Sequence, residues 1–282
     1  MRVMDHVSAT FDFVKNRFLD TLLVGLEGYL FNMAVGAVIS LVLMLTFLPL
    51  GLIVFFVIAG KGSPVFILLI ILFTILFSVV AMVLGIAFSS MMIGGLTNSM
   101  IRVRSGHKHN FGDVFRFGWA KKWDLIRINV INSLLVMMIV IPAVLVLSLV
   151  GTILSIFLPF IGVCLFIMIY LAMVPLFSSL VAVAYLPFII WVKEGTGHWA
   201  SIKKAWKIYF DHFWSFVGFG LIVGLVNMVG SMLPLINILT MMIMGPSIIV
   251  ALIFIHEELY PQSVRRRTHG PYQPNEHGFV KY

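Results

Sequence analysis

Four long stretches of the sequence contain no Asp, Glu, Lys or Arg. They lie between Glu27 and Lys61, Lys61 and Arg102, Arg127 and Lys193, and Asp211 and Glu257, and they contain 33, 40, 65 and 45 residues. A helix needs roughly 20 apolar residues to cross the hydrocarbon core of a bilayer, so the first two stretches each fit one crossing and the last two each fit two. Only 11% of all side chains are charged, which is too few to cover a soluble domain. The sequence therefore predicts an all-α integral membrane protein with six transmembrane helices.

The basic residues are distributed unevenly between the two sides of these crossings. Of the 19 lysines and arginines, three precede the first crossing, seven lie in 102–127, four in 193–207 and four in the C-terminal tail, whereas Lys61 alone lies on the other side. By the positive-inside rule both termini are cytoplasmic, and we expect a multi-pass protein of the cell inner (cytoplasmic) membrane. Because this topology accounts for the net charge of +8, the charge does not indicate a nucleic-acid partner.

Three amphipathic segments precede crossings. In ASIKKAWKIYFDHFW, residues 200–214, the apolar residues recur at helical spacing and the lysines lie beside or opposite them. ATFDFVKNRFLDTLLV and NFGDVFRFGWAKKWDLIRIN have the same pattern. Such a helix is predicted to lie in the headgroup region, with its lysines towards anionic phosphates, although a solvated amphipathic linker has the same pattern. The predicted lipid contacts are Arg116, Lys121, Lys122, Trp199, Lys203, Lys204, Trp206 and Lys207.

Each amphipathic segment leads into a crossing through a short junction that contains an aspartate. These aspartates are Asp20, Asp124 and Asp211. The first N–H groups of a helix have no partner within it, and an aspartate side chain can accept a hydrogen bond from them. We therefore expect the three aspartates to cap helices and not to act in catalysis.

The repeat continues beyond the junctions. Pro49, Pro159 and Pro234 follow them by about the length of one crossing, and we expect each proline to help end the first helix of a hairpin. Each unit is thus predicted to be an interfacial amphipathic helix plus a transmembrane hairpin. The predicted domain is 1–256, with repeats 8–101, 109–192 and 197–256, and the tail 257–282 is predicted to be disordered. The conformation of 50–63 stays open.

Few polar groups lie inside the predicted crossings, where an ionisable residue usually marks function. Glu27, in VGLEGYLF, is the one carboxylate that could enter the membrane, and both an interfacial position and a buried functional one fit the sequence. The possible intramembrane polar site consists of Glu27, Asn132 and Asn227. Hydrogen bonding between helices also explains the asparagines.

The sequence predicts no metal site, no cofactor and no catalytic pair. The run HEE at 256–258 lacks the second histidine of the zinc-protease motif, since Tyr260 occupies that position. A metal site shared by His198, His212 and His256 would need three separate segments to meet, and interfacial polar histidines are the simpler interpretation. No nucleophile and base can be paired from the crossings, so we expect that the protein is not an enzyme.

Two further stretches carry a resemblance to known proteins. They are the run EGTGHWASIKKAW before the fifth crossing and the last helix, which ends as GPSIIVALIFIHEELY and is followed by arginines. Together with the three units and the basic loops, they resemble a group of mostly uncharacterised six-span prokaryotic membrane families. One relative is the membrane domain fused to some glycerophosphodiester phosphodiesterases. The resemblance implies the six-span fold over nearly the whole chain. It does not imply phosphodiesterase activity, because that catalytic domain is a separate soluble barrel of about 250 residues.

Three classes of function follow from these observations. The basic amphipathic helices and the lack of buried charge favour a non-enzymatic membrane protein that binds lipid or organises a membrane partner. The alternative is a transporter or channel for an uncharged or lipid-like small molecule, because breaks at Gly94-Gly95, Pro175 and Pro246 would free backbone groups inside the bundle. Kinked packing helices have the same pattern. A membrane-embedded enzyme is the least favoured class.

Small residues recur at every fourth position in two crossings, at Ala81, Gly85 and Ser89 and at Gly220 and Gly224. Helix backbones are expected to approach each other closely along these faces. The faces pack either inside the bundle or against a homo-oligomer or another membrane protein. Membrane lipids, chiefly anionic ones, are the other expected partners.

Overall fold

The computed structural model of the protein describes residues 3–58, 64–157, 178–231 and 234–260. Nine helices and no strand are formed by these residues, which confirms the all-α class. The helices are α1 (Val3–Asn16), α2 (Phe18–Ile58), α3 (Pro64–Arg104), α4 (Asp113–Ala120), α5 (Lys122–Phe157), α6 (178–194), α7 (His198–Asp211), α8 (Phe213–Ser231) and α9 (Pro234–Leu259).

Several of these helices are long and apolar enough to cross a membrane. The four single segments are Phe18–Met44, Leu68–Arg104, Lys122–Ile153 and Met242–Leu259. The pair α7 and α8, bent by 90°, supplies a fifth candidate. Many of their large apolar side chains are exposed, including Leu76, Met138 and Leu145, and so large an apolar surface needs lipid around it. The chain is therefore embedded in a membrane, with four or five candidate crossings among the described residues; much of the predicted fourth crossing lies in 158–177, outside them.

Three short helices each lead into a long helix through a single residue. Arg17 separates α1 from α2, Lys121 separates α4 from α5, and His212 separates α7 from α8. At each junction the N–H of this residue donates to the carbonyl four residues earlier, and its carbonyl accepts from the N–H four residues later. The chain can therefore turn at all three places without losing these backbone hydrogen bonds. We call the end of the bundle with α1, α4, α7 and the three junctions the charged end.

The expected effect of the prolines and glycines on the helices is largely wrong. The first long helix, α2, continues past Pro49 to Ile58; α3 continues through Gly94-Gly95, and α9 continues through Pro246. A backbone group released within a membrane has no water to bind, so continuing the helix costs less there than ending it. Pro234 is the first residue of α9, a position that proline favours. Pro159 and Pro175 lie outside the described residues.

The core is concentrated towards the charged end, where the short helices pack on the long ones. Its fully buried side chains include Leu125 of α5, Phe216 of α8 and Leu252 of α9. Gly94 and Gly95 of α3 allow α4 and α5 to approach α3 closely. A Cβ at Gly94 would overlap the Leu125 side chain, and a Cβ at Gly95 would overlap the carbonyl of Val114 in α4. These glycines are therefore packing positions and not helix breaks.

Candidate lipid-facing site

Most of the tryptophans are exposed at the charged end. The chain has six tryptophans, and four of them are at least half exposed: Trp119 (50%), Trp123 (68%), Trp199 (59%) and Trp214 (79%). All four are on α4 and α7 or at the start of the helix that follows. A ring this exposed costs free energy in water, whereas the membrane interface suits its apolar body and its N–H group.

The short helix α4 is held against α3, and its Phe115 and Trp119 side chains are exposed. A Cβ at Gly118 would lie 2.6 Å from the carbonyl oxygen of Met91, which shows how closely the two backbones pack. Arg102 of α3 also donates to Asp113, the first residue of α4, at 3.1 Å. Phe115 lies on the side of α4 that faces away from this contact and is 48% exposed.

Basic side chains accompany the exposed rings on α4 and α5. Lys122 Nζ lies 4.1 Å from the centre of the Trp119 ring, a cation–π contact that holds the ammonium group beside the indole. Arg116 is exposed, and Lys121 is half-buried. The predicted lipid contacts on this segment are therefore all at or near the surface.

One face of α7 is exposed and the other packs on the protein. Trp199, Lys203 and Lys207 are exposed. Trp206 is only 9% exposed and needs a correction, because it cannot contact lipid headgroups from inside the protein. Lys204 also faces the protein, as its ion pair shows below.

Asn132 explains why Trp206 turns inwards. The indole Nε1 of Trp206 donates to Asn132 Oδ1 at 3.1 Å, and Asn132 Nδ2 donates to the carbonyl oxygen of Val183 at 3.0 Å. A buried amide that both accepts and donates avoids the cost of an unpaired polar group. Asn132 thus joins α5, α6 and α7, a packing role that the sequence left open.

Lys204 forms an ion pair with Glu194, the last residue of α6. The Lys204 Nζ and Glu194 Oε1 atoms are 2.6 Å apart, and the ammonium group also lies 3.8 Å from the centre of the Tyr260 ring. His256 Nε2 lies 2.8 Å from the same carboxylate oxygen. Burial alone would raise the pKa of Glu194, but the hydrogen bonds and charges of His256 and Lys204 lower it to about 2.

Glu27 is buried, and its carboxylate holds the start of α4. Its Oε2 lies 2.9 Å from His109 Nε2, and its Oε1 accepts the N–H of Phe115 at 3.1 Å. Phe115 is the third residue of α4, so its N–H has no acceptor within the helix, and a negative charge is favourable there. Glu27 therefore links α2 to α4.

Glu27 and Asn132, two residues of the possible intramembrane polar site, have different hydrogen-bond partners in the structure. Glu27 bonds to His109 and Phe115, whereas Asn132 bonds to Val183 and Trp206. Asn227 belongs to α8, and its side chain is outside the described part of the structure. Glu27 and Asn132 are thus members of separate packing clusters.

Histidine–carboxylate pairs are the feature that sequence patterns missed. Among the described residues the four pairs are His6 with Glu258, His109 with Glu27, His198 with Asp124, and His256 with Glu194. The two members of each pair are between 62 and 252 residues apart in the chain, so no local spacing in the sequence could reveal them. The pair His198–Asp124, at 3.0 Å, also brings the start of α7 next to the start of α5 and thus unites the exposed residues of both segments in one surface.

Comparison with known proteins assigns the chain to no family. No protein-family model, curated protein or solved structure matches it. Among the described residues, no group of three or more His, Cys, Asp or Glu side chains is arranged to hold a metal ion. The groups exposed at the charged end include indole rings, ammonium groups and the guanidinium groups of Arg17 and Arg116, together with the carboxylates of Asp12 and Asp211.

Proposed function

We propose that the chain is a non-enzymatic, multi-pass protein of the inner (cytoplasmic) membrane that binds anionic lipid headgroups at its charged end. One observation carries the proposal: Trp119, Trp123, Trp199 and Trp214 are exposed on α4 and α7 or just beyond them, beside exposed basic residues. We define the lipid-facing surface as these four tryptophans together with Arg116, Lys122, Lys203 and Lys207.

The electrostatics of this surface suit a negatively charged bilayer. Within the described residues, Arg116, Lys203 and Lys207 have no ion-pair partner, whereas Lys204 is already paired with Glu194. Each basic side chain near an anionic membrane contributes about 1 kcal/mol of attraction. The exposed rings add apolar contact at the same depth, since indole groups favour the headgroup region.

The alternative function, transport of an uncharged or lipid-like small molecule, has less support. It depends on helix breaks that release backbone groups inside the bundle. At Gly94-Gly95 and at Pro246 the helices are continuous, so these positions do not supply such a break. Pro175 lies outside the described residues.

The architecture is part of the same proposal. Six crossings in three repeats, both termini in the cytoplasm, and membership of the six-span families that the sequence resembles are the expectations that we retain. The matching hydrogen bonds at Arg17, Lys121 and His212 support three equivalent units. A homo-oligomer or a membrane protein partner is compatible with lipid binding, and the proposal requires neither.

The test is to count bound lipids by native mass spectrometry after adding phosphatidylglycerol or phosphatidylcholine. The double variant Lys203→Gln/Lys207→Gln should bind phosphatidylglycerol about thirtyfold more weakly, since it loses about 2 kcal/mol of attraction. Phosphatidylcholine binding should be unchanged. Lys108→Gln is the matched control, because Lys108 is exposed on the loop before α4 and is not part of the lipid-facing surface. Equal phosphatidylglycerol binding by the double variant and the control would refute the proposal.

A further inference from the structure

A cleft lies between α1, α8 and α9. Its volume is about 280 Å³. Val7 and Thr10 of α1 line one end of it, and the walls come from Phe219–Val226 of α8 and Thr240–Ala251 of α9. Three helices from opposite ends of the chain therefore enclose one space.

The cleft has the depth of one leaflet of a bilayer. Its α8 wall belongs to the bent pair that forms a candidate crossing, and most of its α9 wall belongs to the segment Met242–Leu259. At about 1.5 Å per residue, the lining part of α9 is roughly 16 Å long, about half of the ~30 Å hydrocarbon core. The cleft thus extends from α1, at the charged end, to about the middle of the membrane.

The walls of the cleft are chemically apolar. Among the described residues that line it, none is charged, and the only polar side chains are Thr10, Thr240 and Ser247. The Thr10 hydroxyl already donates to the carbonyl oxygen of His6, and the Ser247 hydroxyl donates to that of Ile243, each at 2.7 Å. A polar ligand would lose its hydrogen bonds to water here with little to replace them. A hydrocarbon chain makes no hydrogen bonds to water, so it loses none when it enters the cleft.

The helix α1 is fixed across the end of the cleft. His6 of α1 pairs with Glu258 of α9, and Val7 follows His6 directly in the chain. A chain that enters the cleft would therefore have its polar end near α1 and its apolar end near the middle of the bilayer. Lipids have the same orientation in a leaflet.

We propose that this cleft binds one acyl chain of a lipid from the leaflet on the side of α1. The inference rests on the proposed lipid-binding function and deepens it, because it gives a lipid chain its own site in addition to the headgroup surface. The occupant is a single chain, since a volume of about 280 Å³ over a depth of roughly 16 Å leaves room for one hydrocarbon chain across the cleft.

The experiment uses a phosphatidylcholine with a photoreactive diazirine near the methyl end of one acyl chain, incorporated into lipid nanodiscs with the full-length protein. After illumination, adducts are mapped by mass spectrometry. Labelling of Val226 and Met244, which line the cleft, should exceed labelling of Leu221 and Leu225, which are exposed on α8 outside it. Equal labelling of all four residues would mean that only bulk lipid is present and would overturn the proposal without any variant.

Two tryptophan variants at neighbouring residues sharpen the test. Val226 and Leu225 are similarly exposed, at 49% and 54%, but only Val226 lines the cleft. Val226→Trp should lower labelling of Met244 roughly tenfold by displacing about two methylene groups of the bound chain, whereas Leu225→Trp should leave it unchanged. Equal labelling in the two variants would also refute the acyl-chain site.

The two proposals can fail separately. The photoreactive lipid has no net charge, so Lys203→Gln/Lys207→Gln should leave labelling of Met244 at the wild-type level. If that double variant has normal phosphatidylglycerol binding while the labelling stays selective for the cleft, the headgroup proposal fails and the acyl-chain site stands. If the double variant binds phosphatidylglycerol weakly but labelling is not selective, the acyl-chain site alone fails.

Discussion

Glu194 joins three helices through one carboxylate. It ends α6, beyond the apolar stretch of that helix, and pairs with Lys204 of α7 and His256 of α9. These two partners outweigh burial and lower the pKa of Glu194 from 4.5 to about 2. Because the folded-state pKa is below the unfolded one, the pairing stabilises the fold fully above about pH 4.5, and the stabilisation is lost as the pH falls towards 2.

Glu194→Gln should therefore change how stability depends on pH. We expect the variant to unfold at a lower temperature than the wild type at pH 7, and the difference to shrink as the pH falls from 5 to 2. Thermal unfolding in detergent, followed by tryptophan fluorescence, measures this difference. Asp12→Asn is the control, since Asp12 is exposed on α1 and should follow the wild type at every pH. A difference that is constant between pH 7 and pH 2 would contradict the assigned pairing.

Individual residues on α7 illustrate what sequence patterns can and cannot predict. Helical spacing predicts two unlike faces for α7, and in the structure Trp199 and Lys203 are exposed. The same spacing cannot separate them from Trp206 and Lys204, because an apolar face packs equally well on lipid and on other helices. The difference is made by Asn132, which is 74 residues from Trp206, and by Glu194, and only the folded chain brings these residues together.

At the scale of helices, glycine contacts decide how α4 sits on α3. Gly95 of α3 lies against the carbonyl of Val114, and Gly118 of α4 lies against the carbonyl of Met91. The backbones touch at two points, so α4 cannot move away without opening both contacts. This arrangement holds Trp119 in its exposed position.

Gly95→Ala should loosen this contact. The added methyl group would overlap a backbone carbonyl that cannot rotate away, and we expect a loss of about 1–3 kcal/mol of stability. The Trp119 environment should also change in fluorescence. Gly36→Ala is the matched control, because Gly36 lies within α2 and a Cβ there meets no atom within 4 Å; its stability should be unchanged or slightly higher. Equal stability of the two variants, measured by denaturation with SDS, would show that α4 does not depend on the glycine contact.

The helical elements were partly predictable from the sequence. The sequence predicts junctions around Asp20, Asp124 and Asp211, and the structure has its one-residue separations within three residues of these aspartates, at Arg17, Lys121 and His212. The helix ends were harder to predict. In water-soluble helices a proline such as Pro49 usually ends or kinks the helix, yet α2 continues to Ile58. The rule fails because a membrane penalises an open backbone more than a bent helix.

Across the whole molecule, ion pairs gather at one end of the bundle. Glu257 of α9 pairs with Lys193 of α6 at 2.5 Å and with Arg104 of α3, and His6 of α1 pairs with Glu258. This end also contains the lipid-facing surface. Since 18 of the 19 lysines and arginines belong to the same predicted side, the orientation of the molecule decides which leaflet supplies its lipids.

The orientation can be tested with single cysteines. Cys164 is the only cysteine, so Cys164→Ser gives a background in which Lys108→Cys and Lys61→Cys each add one labelling site. In intact cells a membrane-impermeant maleimide should label residue 61 and leave residue 108 unlabelled until the membrane is opened, because the positive-inside rule places the basic loop in the cytoplasm. The opposite labelling would invert the topology. The lipid-facing surface and the acyl-chain cleft would then lie in the outer leaflet, and the headgroup proposal would concern the lipids of that leaflet.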